Sequence, residues 1–186
     1  SAQSYWEALP TAPNGPRHDD GYFINENLGW VVNGNGQIWK TTNGGDTWVK
    51  KFDKGTVYFR SIAMLDSLYG IAGNLGTNEF GGQTDTNLIY RTTNGGASWN
   101  PINNFIGIKP RGICGLCVVN DSVIYGVGRV RGPVYFLKSN DRGETWYTQS
   151  MSQYAADLMD IYFTSADSGF VVGGNGTPNE NSNGII

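Results

Sequence analysis

Six side chains in this sequence are of the right type and place to do chemistry: the acids Asp19, Asp20, Asp157 and Asp160 and the arginines Arg60 and Arg111. Each stands just before a short apolar run, Tyr22-Phe23-Ile24, Ile62-Ala63-Met64, Ile113-Cys114-Gly115-Leu116 or Ile161-Tyr162-Phe163. Two carboxylates held roughly 5–10 Å apart would serve glycoside hydrolysis. Nothing in the spacing pairs any two of these acids, so no catalytic residue is assigned. A guanidinium at such a place holds a carboxylate or a peptide C-terminus in a two-pronged grip, or pairs with a neighbouring acid. The stretches Phe59-Arg60-Ser61-Ile62 and Pro110-Arg111-Gly112-Ile113 read as matched positions, with Asp19 or Asp20 in that place earlier and Met159 later. Arg60 and Arg111, with Tyr58 and Phe59 beside the first, are the candidate partner-binding residues.

Other chemistries find little support. Cys114-Gly115-Leu116-Cys117 has redox spacing, but lowering a thiol pKa in that motif takes a helix N-terminus, and this stretch reads as a strand. Buried thiols or a strained local disulfide are the readings left open. Zinc needs two further Cys or His ligands, and His18 is the single histidine. The same scarcity excludes a Ser-His-Asp arrangement, and no glycine-rich loop joins a strand to a helix to cradle phosphate. No metal and no cofactor are expected.

The elements that position these residues come from a repeat. Thr41-Thr42-Asn43-Gly44-Gly45-Asp46-Thr47-Trp48 recurs as Thr92-Thr93-Asn94-Gly95-Gly96-Ala97-Ser98-Trp99 and as Ser139-Asn140-Asp141-Arg142-Gly143-Glu144-Thr145-Trp146. A hydroxyl stands first, Asn or Asp third, Gly fifth, a hydroxyl seventh and Trp eighth. Asn or Asp can cap the turn by accepting backbone N–H bonds, and Gly can take positive φ. These residues therefore read as scaffold, since a single active site would not repeat. Three strands precede each turn or follow it at similar offsets: an apolar one, one that runs from an aromatic to a glycine (Trp30 to Gly34, Tyr69 to Gly73, Tyr125 to Gly128, Phe170 to Gly173), and one ending in Lys40, Arg91 or Lys138. Those three cations read as solvated strand ends.

Trp6, Trp48, Trp99 and Trp146 recur about every 40–50 residues, the length of a four-stranded antiparallel propeller blade. The chain is expected to be all-β. Residues 1–17 are read as a closing strand for the last blade, 18–53 as blade 1, 54–104 as blade 2, 105–150 as blade 3 and 151–186 as an incomplete blade 4. A fourth turn Trp would fall at about position 193. The ring is thus expected to be a portion of about four blades, completed by further blades or another chain so that its apolar sheet face is covered.

Composition agrees. The 186 residues include 27 Gly, with 39% hydrophobic and 13% aromatic residues, enough for a core of many short strands. A net charge of −3 argues against a nucleic-acid partner, which requires clustered cations. No segment approaches the ~20 apolar residues of a membrane-spanning helix.

The eight-residue turn resembles the Asp-box, or BNR repeat, of sialidases, sortilin-type receptors and xyloglucan-degrading glycosidases. The fuller pattern from Gly29 to Trp48 is most similar to the photosystem II stability/assembly factor family. That resemblance implies a non-enzymatic, extracytoplasmic binding or assembly module whose arginines meet a protein or peptide partner. The alternatives are a glycoside hydrolase or carbohydrate-binding propeller, and a structural repeat of a larger surface protein. Strand alternation puts the turns on one face and the loops Asn74 to Asn87, Arg129 to Pro133 and Asn175 to Gly184 on the other. Unequal loops on a rigid scaffold are where binding resides.

Overall fold

Alternating apolar residues between glycine-rich turns do form four antiparallel sheets in sequence order. The computed structural model describes residues 8–78, 82–176 and 184–186. Blade 1 holds β1 (His18–Phe23), β2 (Gly29–Asn33), β3 (Gln37–Thr41) and β4 (Val49–Asp53), each beside the next. Blade 2 repeats the order with β5 (Phe59–Met64), β6 (Gly70–Asn74), β7 (Ile89–Thr92) and β8 (Asn100–Ile102). Blade 3 adds a fifth strand that the repeat did not predict. There β9 (Phe105–Ile106) runs parallel to β13 (Trp146–Ser150), outside β10 (Gly115–Val118), β11 (Ile124–Gly128) and β12 (Tyr135–Ser139). In blade 4, β14 (Asp157–Phe163) pairs with β15 (Gly169–Gly174), and the two-residue β16 (Gly184–Ile185) follows.

Trp6 and the rest of residues 1–7 lie outside the described residues. Residues 8–17 form no strand, and Thr11 Oγ1 donates to the Gly45 carbonyl at 2.9 Å, against blade 1.

Strand register shows how the sheets stack. Tyr22 pairs with Trp30 and Trp30 with Lys40, so these three share one face of blade 1, as do Val32 and Ile38. That front face meets Ile62, Met64, Ala72 and Tyr90 of blade 2, which share the back face there. Ile71 and Ile89 then meet Leu116, Val118 and Leu137, and Tyr125, Val127 and Phe136 meet Ile161, Phe163 and Val171. Each seam buries side chains worth about 1.5–3 kcal/mol apiece. The period-two alternation of a strand is thereby divided between two neighbours rather than between core and water.

The repeated turns cap themselves. The first hydroxyl accepts the N–H of the fifth residue at 2.8–2.9 Å: Gly45 to Thr41, Gly96 to Thr92, Gly143 to Ser139. The third residue's Oδ1 accepts the N–H of the seventh: Thr47 to Asn43, Ser98 to Asn94, Thr145 to Asp141. At the fifth position φ is +99°, +84° and +79°, a region where glycine carries no Cβ penalty.

Lys40 and Arg91 are not solvated strand ends. Lys40 Nζ donates to the Gly95 carbonyl at 2.7 Å while lying over the Trp30 ring, and Arg91 Nε donates to the Arg142 carbonyl at 2.9 Å. Gly95 and Arg142 are both fourth in their turns. Each cation thus latches its blade to the turn of the following one, an arrangement that needs a neighbour no single repeat displays.

Candidate functional site

The inner strands β1, β5, β10 and β14 surround a cleft of 360 Å³. Its walls carry Asp19, Asp20 and Tyr22 from blade 1, Arg60, Ser61 and Ile62 from blade 2, Cys114, Gly115 and Leu116 from blade 3, and Met159, Asp160 and Ile161 from blade 4. Ladder irregularities between His18 and Asp20, Phe59 and Ser61, and Leu158 and Asp160 leave Asp19, Arg60 and Met159 as the extra residues. A bulge re-aims the residue it adds, and these three lie on the cleft wall.

The expected match of Arg60 with Arg111 does not hold. Gly115 pairs with Val127 as Ser61 pairs with Gly73, so the blade 3 counterpart of Arg60 is Cys114. Arg111 lies three residues earlier, before the strand. The two stretches look alike because Ile62 and Ile113 both follow an arginine by two residues. Ile62 pairs with Ala72, however, and its counterpart opposite Gly126 is Leu116. Arg111 is exposed and helps line a second cavity of 350 Å³ with Lys109, Arg129, Thr77 and Asp85. Phe59 is also corrected: it is fully buried against Phe52 and Tyr90, so it positions β5 and offers no surface to a partner. The half-buried Tyr58 ring covers Gly34, where a Cβ would sit 2.6 Å from it.

Charge in the cleft is unevenly committed. Asp19 pairs with Arg17, whose guanidinium also donates to the Tyr58 hydroxyl at 3.0 Å. The Asp19 side chain is 1% exposed, and its Oδ2 is buried with no hydrogen-bond partner among the described residues. Arg60 Nη1 donates to the Asp19 carbonyl at 3.3 Å. Asp20 accepts two backbone N–H bonds at 2.8 Å, from Gly21 on Oδ1 and from Ile62 on Oδ2, and so ties β1 to β5. Burial raises the Asp20 pKa above the usual carboxylate range, against those two bonds and with Asp160 adding a like charge. Asp160 is exposed and accepts the Ile161 N–H at 2.8 Å. Asp157, the fourth acid singled out, is not on the cleft wall.

The loops differ as their unequal sequences suggest. Asn74, fully buried, accepts the N–H groups of Tyr58 and Gly76 at 3.1 Å and donates to the carbonyls of Asp85 and Asn87. Asp85 pairs with Lys54 and accepts the Tyr90 hydroxyl at 2.7 Å. Of the loop Asn175 to Gly184, residues 177–183 lie outside the described residues. Cys114 and Cys117 are free thiols. Among the described residues no group of three or more His, Cys, Asp or Glu is placed to hold a metal ion, and no helix is long and apolar enough to cross a membrane.

Four sheets stacked around a shared cleft find counterparts among known structures. An ancestral GH74 enzyme superposes with a TM-score of 0.66 at 18% identity, over 91% of this chain and 23% of that one. The fold is a β-propeller. The GH74 enzyme of Niastella koreensis follows at a TM-score of 0.58 and 20% identity, over 85% of this chain and 26% of its own. The computationally designed Ika4 protein also gives 0.58, at 8% identity over 97% of this chain and 98% of the design. In sequence the propeller is similar to xyloglucanase Xgh74A of Acetivibrio thermocellus, 25% identical over 172 residues. That match covers 82% of this chain but only 20% of the xyloglucanase, so the chain spans about a fifth of the relative's length. No family model matches the chain.

Proposed function

We propose that this propeller is a non-enzymatic binding module, acting outside the cytoplasm, that takes a protein or peptide segment at the end of the ring opposite the repeated turns. The observation that carries the reading is that one cleft is lined by both Arg60 and Asp19, whose buried Oδ2 has no hydrogen-bond partner among the described residues. A polypeptide offers both the acceptor that a guanidinium seeks and the N–H donor that an orphaned carboxylate oxygen lacks. Hydrolysis would ask for two carboxylates open to substrate. Asp19 is held by Arg17 and Asp20 by two backbone amides, which leaves Asp160 as the open acid. Arg111, on its separate cavity, extends the proposed surface rather than sharing the cleft.

The test is a peptide-display selection against the whole chain, followed by titration of the selected peptides with the Arg60→Ala, Asp19→Asn and Arg111→Ala variants. Loss of affinity in the first two, with secondary structure unchanged, supports the reading. Selected peptides whose affinity ignores all three changes would remove it.

A second reading, carbohydrate binding or glycoside hydrolysis, is favoured by the likeness to a xyloglucanase and by the raised pKa of Asp20 next to Asp160. Release of reducing sugar from xyloglucan, abolished by Asp160→Asn, would establish it over the first.

A further inference from the structure

Three cations meet around the 350 Å³ cavity between blades 2 and 3, where the loop after β6, the segment before β10 and the loop after β11 come together. They are Lys109, Arg111 and Arg129, three of the 13 lysines and arginines in a chain of net charge −3, so the local sign opposes that of the whole. The carboxylate on the wall, Asp85, is already committed, because it pairs with Lys54 and accepts the Tyr90 hydroxyl. Lys109 donates to a neutral group, Asn103 Oδ1, at 2.9 Å. The exposed Arg111 makes no side-chain hydrogen bond or ion pair among the described residues. Two full positive charges thus face one space with no negative partner among the described residues.

Much of the wall is fixed before any ligand arrives. A Cβ at Gly112 would lie 2.0 Å from the Leu75 carbonyl oxygen, and one at Gly128 would lie 2.1 Å from that of Gly112, so three backbone segments meet at a distance that glycine alone permits. The Ile113 N–H donates to the Asn74 carbonyl at 2.8 Å and closes the seam. Arg129 is oriented by carbonyls, with Nε donating to Arg131 at 2.9 Å and Nη1 to Arg111 at 3.5 Å. Thr77 and Thr86 add hydroxyls to the wall, and the buried Leu88 and Pro110 add an apolar side.

We infer that this cavity binds a small phosphate monoester. Such a group carries a charge of about −1.5 to −2 near neutral pH and three strong acceptor oxygens, which answers two uncommitted cations and leaves acceptors for the hydroxyls. A guanidinium grips it in a two-pronged bond. The organic part of the ester lies against Leu88 and Pro110, in a space of the size that small-molecule sites have. A carboxylate, with one charge, would leave one cation unanswered. The cavity shares no residue with the cleft proposed for a peptide, and the inference does not rest on that reading.

The probe is glucose 6-phosphate, titrated calorimetrically into the full chain at about pH 7.5 and about 150 mM salt, where the phosphate is dianionic and exposed charges are screened. One saturable site is expected, for which inorganic phosphate competes and glucose does not. Glucose 6-sulfate keeps the tetrahedral shape with a single negative charge and should bind about tenfold more weakly. Arg111→Ala and Lys109→Ala should each weaken binding of the phosphate by about tenfold, the size of one charge-assisted bond. Arg111→Lys, which keeps the charge without the fork, should fall between Arg111→Ala and the parent chain. Both side chains are exposed, and circular dichroism checks that the variants fold. Asp19→Asn, in the other cleft, should leave the affinity unchanged. Absence of saturable binding overturns the inference, as does an affinity that neither Arg111→Ala nor Lys109→Ala changes. Equal affinity for the sulfate also overturns it, because a single charge then suffices, and loss of binding in Asp19→Asn would put the ligand in the cleft instead.

Discussion

The Lys40 ammonium and the Gly95 carbonyl meet at 2.7 Å across the seam between blades 1 and 2, and Arg91 repeats the contact with Arg142 at 2.9 Å across the next. Burial lowers the Lys40 pKa, yet the side chain keeps a bond and an aromatic ring. Lys40→Ala should therefore cost about 1–2 kcal/mol in urea unfolding. Lys138 has the Tyr125 ring but no carbonyl partner among the described residues, so Lys138→Ala should cost about 0.5 kcal/mol or less. Equal losses in the two variants would deny the latch.

Asn74 satisfies four backbone groups, the N–H of Tyr58 ahead of β5 and the N–H of Gly76 and carbonyls of Asp85 and Asn87 in the loop after β6. Asn74→Ala strands them in a buried site and should destabilise by about 2–3 kcal/mol. A shift in the denaturation midpoint at constant slope measures it.

Asp141 carries the one charged third position among the three turns, where blades 1 and 2 have Asn43 and Asn94. Burial pushes its pKa up, but the Thr145 and Glu144 amides and the Ser139 and Thr145 hydroxyls outweigh it and leave the pKa below 3.8. A depressed folded-state pKa contributes stability that is present above the unfolded value and lost as pH falls through the folded one. Asp141→Asn should thus leave stability at neutral pH within about 0.5 kcal/mol and flatten its decline below about pH 3.8. Thermal melts across about pH 2–5 would show an unchanged acid limb if the turn bonds do not hold the charge.

Gly143 sits at φ +79°, and a Cβ there would lie 2.3 Å from Ile71 Cδ1 in the neighbouring blade. Gly143→Ala should cost about 2 kcal/mol or more, combining backbone strain with overpacking. A melting temperature equal to that of the parent chain would contradict this.

Cys114 is buried, and Cys117 Sγ accepts the Phe163 N–H at 3.3 Å. Side chains three apart along an extended segment leave on opposite faces, so the pair should stay reduced in air. Alkylation after unfolding without reductant should modify both thiols, as read by mass spectrometry.

The strands and turns were legible because their signals are local: a hydroxyl, a carboxamide, a glycine and a tryptophan at fixed offsets carry their own bonding pattern. The cleft was legible only in its residue types. Asp19 and Arg60 stand out as charges before apolar runs, but that each is an extra residue in its strand follows from pairing with β2 and β6. Arg111 misled for the same reason, since an Arg-x-Ile resemblance cannot register a three-residue offset fixed by Gly115 opposite Val127. The latches of Lys40 and Arg91 escaped notice because their acceptors are backbone carbonyls about 50 residues away, which no side-chain pattern announces. The edge strand β9 rests on two residues, too few for any periodicity.

The latches also give the stack a direction. In each the cation belongs to the earlier blade and the carbonyl to the later one, and only across the second seam does the turn also reach back, with the Arg142 guanidinium 3.5 Å from Asp66 and over the Tyr69 ring. Deleting blade 1 would release the turn of blade 2, while deleting blade 3 would release no repeated turn before it. The propeller is in this respect a vector, and insertions or permutations that keep every blade intact but reverse their succession would lose both clasps at once.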